Sequence, residues 1–232
     1  MSSLYKLESR FEDKFLLKNE NTTESLKFIL NKNNIFQAHE NNEINNIYFD
    51  TFNYKSYNEH IEGSLDRSKI RVRWYTNSNY KKNEFYLEYK KRINKKSIKI
   101  KIQLEISNLY ELSPYSLSSK LNYLLFDHGI KERYRLIQPV LFNKYNRAYY
   151  INQESDNRIT LDTNIHFAKT DNSFKPKNFI NSRLNLVEHK YETSKQKIRL
   201  INNNLINLKR SNFSKYIYGY KFLNKKFVDQ VY

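Results

Sequence analysis

Lys69-Ile70-Arg71-Val72-Arg73-Trp74 alternates cationic and apolar residues without a break. A period of two is the signature of a half-buried β-strand, so Lys69, Arg71 and Arg73 share one face and Ile70, Val72 and Trp74 the other. A solvated strand face ordinarily mixes signs with Ser and Thr, whereas this one presents three cations in a row. Phe85-Tyr86-Leu87-Glu88-Tyr89-Lys90 follows, with Glu88, Lys90 and Arg92 on one side. From Ser97 to Ile106 the alternation continues. Ile98, Ile100, Ile102, Leu104 and Ile106 oppose Lys99, Lys101, Gln103 and Glu105. Three neighbouring strands with cationic faces imply a curved sheet whose charged surface serves a polyanion.

At 232 residues the chain is long enough to bury a proper core, and it is expected to form one domain over residues 1–232. The 16% aromatic content excludes a disordered chain, and 20 Tyr with 15 Phe favour strands. A net charge of +17 attracts phosphates, nucleic acid or acidic membrane surfaces. Without cysteine there is no disulfide framework, thiol nucleophile or thiolate metal site. Met1 to Phe15 lacks the apolar core of a signal peptide, and no run approaches the roughly 18 apolar residues of a membrane span. A cytoplasmic protein is the expectation.

Along the chain, Tyr5 to Leu17 predicts a first strand, with Arg10, Glu12 and Lys14 opposite Phe11 and Phe15. Thr22 is placed to cap a helix carrying Leu26, Ile29 and Leu30. Asn45 to Thr51 predicts a short strand, and Tyr54 to Arg67 a polar connection with a turn at Gly63. The clearest helix runs from Ser116 to a stop at Gly129. Strands are predicted at Pro139 to Tyr150, Asn157 to Ile165 and Leu184 to Glu192, with a loop over Asp171 to Arg183. Helical segments close the chain, roughly at Ser194 to Leu208 and Phe213 to Leu223. About eight strands with intervals too short for βαβ crossovers favour an antiparallel, closed α+β arrangement.

Eight short motifs occur in order over nearly the whole chain. They are Arg10-Phe-Glu-Asp-Lys14-Phe, Ile47-Tyr-Phe-Asp-Thr51, Lys69-Ile-Arg-Val-Arg-Trp-Tyr75, Leu87-Glu-Tyr-Lys90, Tyr145-Asn-Arg147-Ala-Tyr, Arg158-Ile-Thr-Leu-Asp162, Leu186-Val-Glu-His-Lys-Tyr191 and Phe213-Ser-Lys215-Tyr. Together they resemble the VTC-type polyphosphate polymerase domain of the triphosphate tunnel metalloenzyme (CYTH-like) superfamily. The resemblance implies an eight-stranded antiparallel β-barrel tunnel with flanking short helices and a C-terminal helical cap. Its lumen would hold a triphosphate and a divalent metal. Many tunnel phosphatases and cyclases begin with alternating glutamates; here the first such position is Arg10, as in the polymerase branch. Leu184 and Leu186 share the parity of Glu188, so a bulge or strand start is expected there.

Phosphoryl transfer needs in-line positioning, charge neutralisation and a metal bridging the phosphates. Arg71 and Arg73 suit this because a guanidinium fork binds two phosphate oxygens at once. The resemblance carries over Lys14, Lys90, Arg147 and Arg158 as further phosphate ligands, and Arg10, Tyr145 and Lys215 as substrate-binding residues. Lys69 is expected at the tunnel rim. Of Lys96, Lys99 and Lys101, at least one should point inward. Glu188 is the leading ligand for Mg²⁺ or Mn²⁺, and Glu12 and Glu88 either join it or hold lumen cations in place. Asp162 is expected to orient an arginine, and the histidines receive no role. The implied substrates are ATP and inorganic polyphosphate, with a membrane-protein partner not encoded in this chain. The alternatives are a metal-dependent triphosphatase on the same tunnel and a non-catalytic polyphosphate- or polyanion-binding module. Nucleic acid is disfavoured, since the cations alternate with core residues and share their faces with glutamates.

Overall fold

The alternating segments become strands of one antiparallel sheet. The computed structural model describes residues 6–8, 11–17, 20–76, 84–94, 96–130, 137–152, 155–170, 176, 178–191 and 210–224. In chain order the elements are β1 (Lys6–Glu8), β2 (Phe11–Leu17), α1 (Glu20–Lys32), β3 (Ile35–Thr51), α2 (Lys55–Ile61), β4 (Arg67–Thr76), β5 (Phe85–Ile93) and β6 (Lys96–Leu104). They continue with α3 (Pro114–Asp127), β7 (Ile137–Asn152), β8 (Ser155–Ala168), β9 (Ile180–Asn181), β10 (Asn185–Tyr191) and α4 (Lys215–Leu223). The hydrogen-bonded order is β1-β6-β5-β4-β3-β7-β8-β10-β2, with β9 added to β8.

This sheet is strongly curled. β5 and β2 lie six places apart on the path, which in a flat sheet would separate them by about 29 Å. Yet Lys90 Nζ on β5 sits 3.6 Å from Glu12 Oε2 on β2. The expected eight-stranded closed barrel is corrected in two respects: among the described residues the sheet has ten strands, and its path does not close. The predicted N-terminal strand is split in two. Its first piece pairs with β6 and its second with β10, so consecutive parts of one segment cover both ends of the path without a ladder between them.

Curling separates two environments. On the outer face, Ile70, Val72, Trp74, Leu87 and Ile100 pack beneath Leu117, Leu121 and Leu125 of α3. Around the sheet, Leu26, Ile29 and Leu30 of α1 cover Phe15, Leu17, Ile159, Leu161 and Val187. The inner face is apolar only at one end, where Phe213, Tyr216 and Ile217 meet Tyr48, Leu141, Phe167 and Leu186. Hence α4 plugs that end of the bore. Of the two expectations near Leu184 and Leu186, the strand start holds, at Asn185, and no bulge is needed: β10 keeps unbroken register with both neighbours, and Leu186 faces inward onto α4. The irregularity lies on β8 instead. Its register against β7 gains a residue near Asn164, which adopts φ 52°. A bulge of this kind reverses side-chain parity, and it puts Ile165 and Phe167 inward, against α4.

Other boundaries shift for local reasons. β3 begins at Ile35, ten residues before its predicted start, because its first half is exposed and has no apolar face to betray it. Helix α1 starts at Glu20, so Thr22 lies inside the first turn. Helix α2 falls in the predicted polar connection. It forms because Asp50, at the end of β3, accepts from the backbone N–H groups of Ser56 (3.0 Å) and Tyr57 (3.0 Å). The same carboxylate accepts from Tyr216 Oη at 2.5 Å, tying α4 to α2. Ser113 caps α3 through the N–H of Ser116, and Gly129 ends that helix with φ 77°. The helix predicted at Ser194 to Leu208 lies outside the described residues.

Gly219 fixes how deeply α4 sits. A Cβ there would enter the van der Waals shell of the Phe167 ring and stand 2.9 Å from Leu141 Cδ2. Gly219→Ala gains roughly 1 kcal/mol of helix propensity but should still lower stability, since overpacking a core costs about 1–3 kcal/mol. Chemical denaturation measures this; a stabilised variant would show that α4 is loosely seated.

Candidate active site

Inward-facing residues of the curled sheet meet in two linked clusters. The first is built by the rungs of β4 and β5, where Arg71 stands opposite Glu88. Arg71 donates to Glu88 Oε2 through Nε (2.8 Å) and Nη2 (2.5 Å). Arg73 Nη1 lies 3.8 Å from the same oxygen, and Lys99 Nζ lies 3.3 Å from Oε1. Burial pushes the Glu88 carboxyl up, but Arg71, Arg73 and Lys99 outweigh it and hold the group well below the usual glutamate range. Arg73 also donates to Asn46 Oδ1 (2.9 Å) and Tyr145 Oη (3.2 Å). Its guanidinium is thus fixed on three sides.

The second cluster lies across the bore on β2, β7, β8 and β10, with α4 closing it. Arg147 grips Asp162 at both oxygens (2.6 and 2.7 Å), and Lys215 reaches Asp162 Oδ2 at 2.5 Å. Glu188 is shared by Lys14 (3.6 Å), Arg147 (3.5 Å) and Lys215 (3.8 Å). Lys14 also meets Glu12 at 2.9 Å, and Lys90 reaches Glu12 from the far wall. Burial opposes ionisation of Glu188, and the facing Lys14, Lys215 and Arg147 reverse the effect, holding it well below its ordinary range. Asp162 is likewise lowered, by Arg147 and Lys215 against burial. The Lys14 ammonium is pushed up by Glu188 and Glu12 in spite of its burial.

The structure therefore brings together Lys14, Arg71, Arg73, Lys90, Lys99, Arg147, Lys215, Tyr145, Glu12, Glu88 and Glu188. Tyr145 lies beneath Arg147 and Lys215, 5.3 and 4.6 Å from its ring centre. Two predicted members stand apart. Arg158 has the parity of Asp162 but is exposed further along β8, opposite Lys190. Lys101 is exposed and lies over the Tyr86 ring at 3.7 Å, so Lys99 is the β6 lysine that reaches Glu88. Lys69 donates to Ser214 Oγ at 2.7 Å, next to α4. Arg10 and the Lys96 side chain lie outside the described residues. Asn46 and Tyr48 were missed. Their signal was the parity of Ile47 and Phe49, which sends both toward the bore. A groove of about 590 Å³ between α3, α4 and β7 is unrelated to this chemistry, being lined by Tyr54, Tyr115, Pro139, Leu141 and Tyr220 with Lys169 as its cation.

Among the described residues no three Asp, Glu or His side chains form a ready metal cluster. The donor set nevertheless fits a hard divalent ion that takes one or two carboxylates and completes its shell with phosphate oxygens. Glu12 and Glu188, on neighbouring strands, already share one cation, the Lys14 ammonium. Glu88 fits less well, since Arg71 and Lys99 occupy its two oxygens.

These lowered carboxyls set a pH dependence. Below the ordinary glutamate value of 4.5, the unfolded chain takes up protons before native Glu88 and Glu188 do. Stability therefore falls as pH drops through that range and is fully present above it. Glu88→Gln should reduce stability at pH 7 and flatten this acid slope; an unchanged slope in thermal melts from pH 6 to 3 would contradict the cluster.

Comparison with solved structures finds a putative adenylyl cyclase from Hippeastrum, described as having a dominant triphosphatase activity, at TM-score 0.55 and 17% identity. The match covers 93% of this chain and 95% of that one. A putative adenylate cyclase from Vibrio parahaemolyticus matches at TM-score 0.47 and 14% identity, over 90% of this chain and 97% of its own. A search of curated proteins found no match. The sequence profile of the VTC domain spans residues 9–224, from just before β2 to the end of α4. The chain belongs to the VTC domain family, and its sheet shares the fold of the Hippeastrum protein.

Proposed function

We propose that this VTC domain is a polyphosphate polymerase that transfers the γ-phosphoryl group of ATP to a growing inorganic polyphosphate chain. The observation that carries the reading is the convergence of Lys14, Lys69, Arg71, Arg73, Lys90, Lys99, Arg147 and Lys215 from opposite walls of one bore. Only four carboxylates share it among the described residues: Glu12, Glu88, Asp162 and Glu188. The positive surplus suits a triphosphate. Family membership and fold support phosphoryl handling in general; the choice of acceptor rests on the chemistry below.

A terminal phosphate oxygen of the chain attacks the γ-phosphorus, and the bond from that phosphorus to the β–γ bridging oxygen breaks. The electron pair leaves with ADP, and the chain is one phosphate longer. Arg71 and Arg73 hold equatorial oxygens from one wall; Arg147, Lys14 and Lys215 do so from the other. Glu88 and Asp162 are positioning residues that fix those guanidinium groups before substrate arrives. Glu188, with Glu12, would hold Mg²⁺ or Mn²⁺, which would supply charge neutralisation to the phosphates. All four carboxyls are lowered and engaged by cations, so none is poised at neutral pH to activate water. An acceptor that is already anionic needs no such base.

Incubating the protein with ATP and Mn²⁺ should yield a ladder of polyphosphate on a gel; ADP with free phosphate alone would identify a triphosphatase instead. Arg73→Gln should lower turnover by about 10²–10³, the cost of losing one transition-state donor, with the fold intact by circular dichroism. Tripolyphosphate should raise the melting temperature in a concentration-dependent way. No shift at any concentration would leave the bore without its ligand class. Among the described residues no helix is long and apolar enough to cross a membrane.

A further inference from the structure

Toward the end of the bore away from α4, the inward face changes from charged to aromatic. Strand parity sets this up. Tyr75 is the next inward residue after Arg73 on β4, Tyr149 the next after Arg147 on β7, and Tyr86 the next before Glu88 on β5. Pairing puts all three on the same side of the charged clusters. Tyr86 stands opposite Arg73, and Ile44 on β3 faces both Tyr75 and Tyr145. Helix α4 meets these strands further back, at Lys69 and Leu141. Each tyrosine therefore lies one inward step, about 7 Å along its strand, beyond a cluster residue.

The three rings are half-buried and braced. Tyr86 donates to the Glu84 carboxylate, and its ring meets Tyr75 edge-on at 6.4 Å between centres. Lys101, exposed, lies over both rings, 3.7 Å from the centre of Tyr86 and 5.8 Å from that of Tyr75. On the β7 wall the exposed His39 lies tilted against Tyr149 at 4.4 Å. Burial pushes the Tyr149 hydroxyl above the usual tyrosine range; Arg147 opposes the shift, and Tyr75 and Tyr145 add to it. Tyr149 and Tyr75 thus act on each other although β3 runs between their strands. Packing of β4 and β5 does not call for these rings, since the apolar core of both strands lies on the outer face, under α3.

We propose that Tyr75, Tyr86 and Tyr149 form a nucleobase subsite, which stacks the base of the donor nucleotide while its triphosphate lies among the charged clusters. The inference rests on the ATP reading above and adds which way the nucleotide lies: base at the end away from α4, γ-phosphate deepest. Every base has a π face, so stacking on rings tolerates different bases. The subsite presents ring faces in place of donors and acceptors aimed at base edges, and adenine and guanine should serve about equally well. Single-stranded nucleic acid uses the same stacking but also needs cations tracking its backbone in a groove. Here the cations next to the tyrosines, Arg73 and Arg147, are held inside the bore by Asn46, Tyr145 and Asp162.

Calorimetric titration of nucleotide-free protein with tripolyphosphate and with the non-hydrolysable β,γ-imido analogues of ATP and GTP tests the subsite. Tyr75→Leu with Tyr149→Leu should weaken both analogues by about five- to a hundredfold, the cost of a lost base stack. Tripolyphosphate should stay within about twofold, well under that cost. Tyr75→Phe with Tyr149→Phe keeps the rings and should bind both analogues within about threefold of wild type. Equal weakening of tripolyphosphate in the leucine variant would make the tyrosines supports of the charged clusters and overturn the proposal. So would a leucine variant that binds the analogues like wild type, a strong preference for one purine, or a single-stranded oligonucleotide that displaces the ATP analogue as well as free ATP does. If wild-type protein binds tripolyphosphate but neither analogue, the base subsite fails and the triphosphate reading stands. If it binds none of them, the phosphoryl-transfer reading itself fails.

Discussion

Two buried carboxylates, Glu88 and Asp162, and two half-buried ones, Glu12 and Glu188, make the bore possible. Without Glu12, Glu88, Asp162 and Glu188, the cations of β2, β4, β5, β6, β7 and α4 would face one another in a space that excludes much of the water that ordinarily screens them. Each carboxylate instead serves several cations. Glu88 engages Arg71, Arg73 and Lys99; Glu188 engages Lys14, Arg147 and Lys215. Breaking such a buried pair costs about 3–5 kcal/mol because it strands a charge. The compensation is partial, however, and the remaining surplus is what a polyanion would meet.

The fold inverts the usual arrangement of a sheet against its core. Apolar side chains of β4, β5 and β6 point outward and are covered by α3, while α1 covers the other side. The charged side chains point in. Tertiary stability thus resides in the helix-covered shell, leaving the interior free to hold unfavourable charge. Only at the α4 end does the interior become apolar, and there Gly219 permits the helix to lie against Phe167 and Leu141. That seating brings Lys215 to Asp162. The charged cluster around Asp162 and the stability of the plug are therefore linked through one short helix.

Much of this was legible in the residues because strand parity is strict. Lys69, Arg71 and Arg73 had to share a face, and Ile70, Val72 and Trp74 had to share the other. By the same rule His189 falls on the face opposite Glu188, where its ring lies tilted against Tyr191, and Asp162 holds an arginine as expected, Arg147. Other features were illegible for physical reasons. Nothing in Lys55–Ile61 announces a helix, since its first N–H groups are satisfied by Asp50 from a preceding strand. The bulge at Asn164 leaves no mark in composition, yet it turns Phe167 toward α4. Lys99 and Lys101 are equivalent by parity, and Glu88 stands opposite Lys101 in register; only the tertiary structure turns Lys101 over the Tyr86 ring and lets Lys99 reach Glu88 diagonally.

The sequence by itself determined which side chains lie on which face, because alternation is a local property of extended backbone. It therefore determined that the cations segregate from the apolar residues, and that a carboxylate accompanies them on several strands. Tertiary structure alone decided which cations meet. Sheet curvature brings Lys90 to Glu12 and α4 brings Lys215 to Asp162, contacts between residues far apart along the chain. Curvature and docking are set by long-range packing against α1, α3 and α4, which no local period encodes.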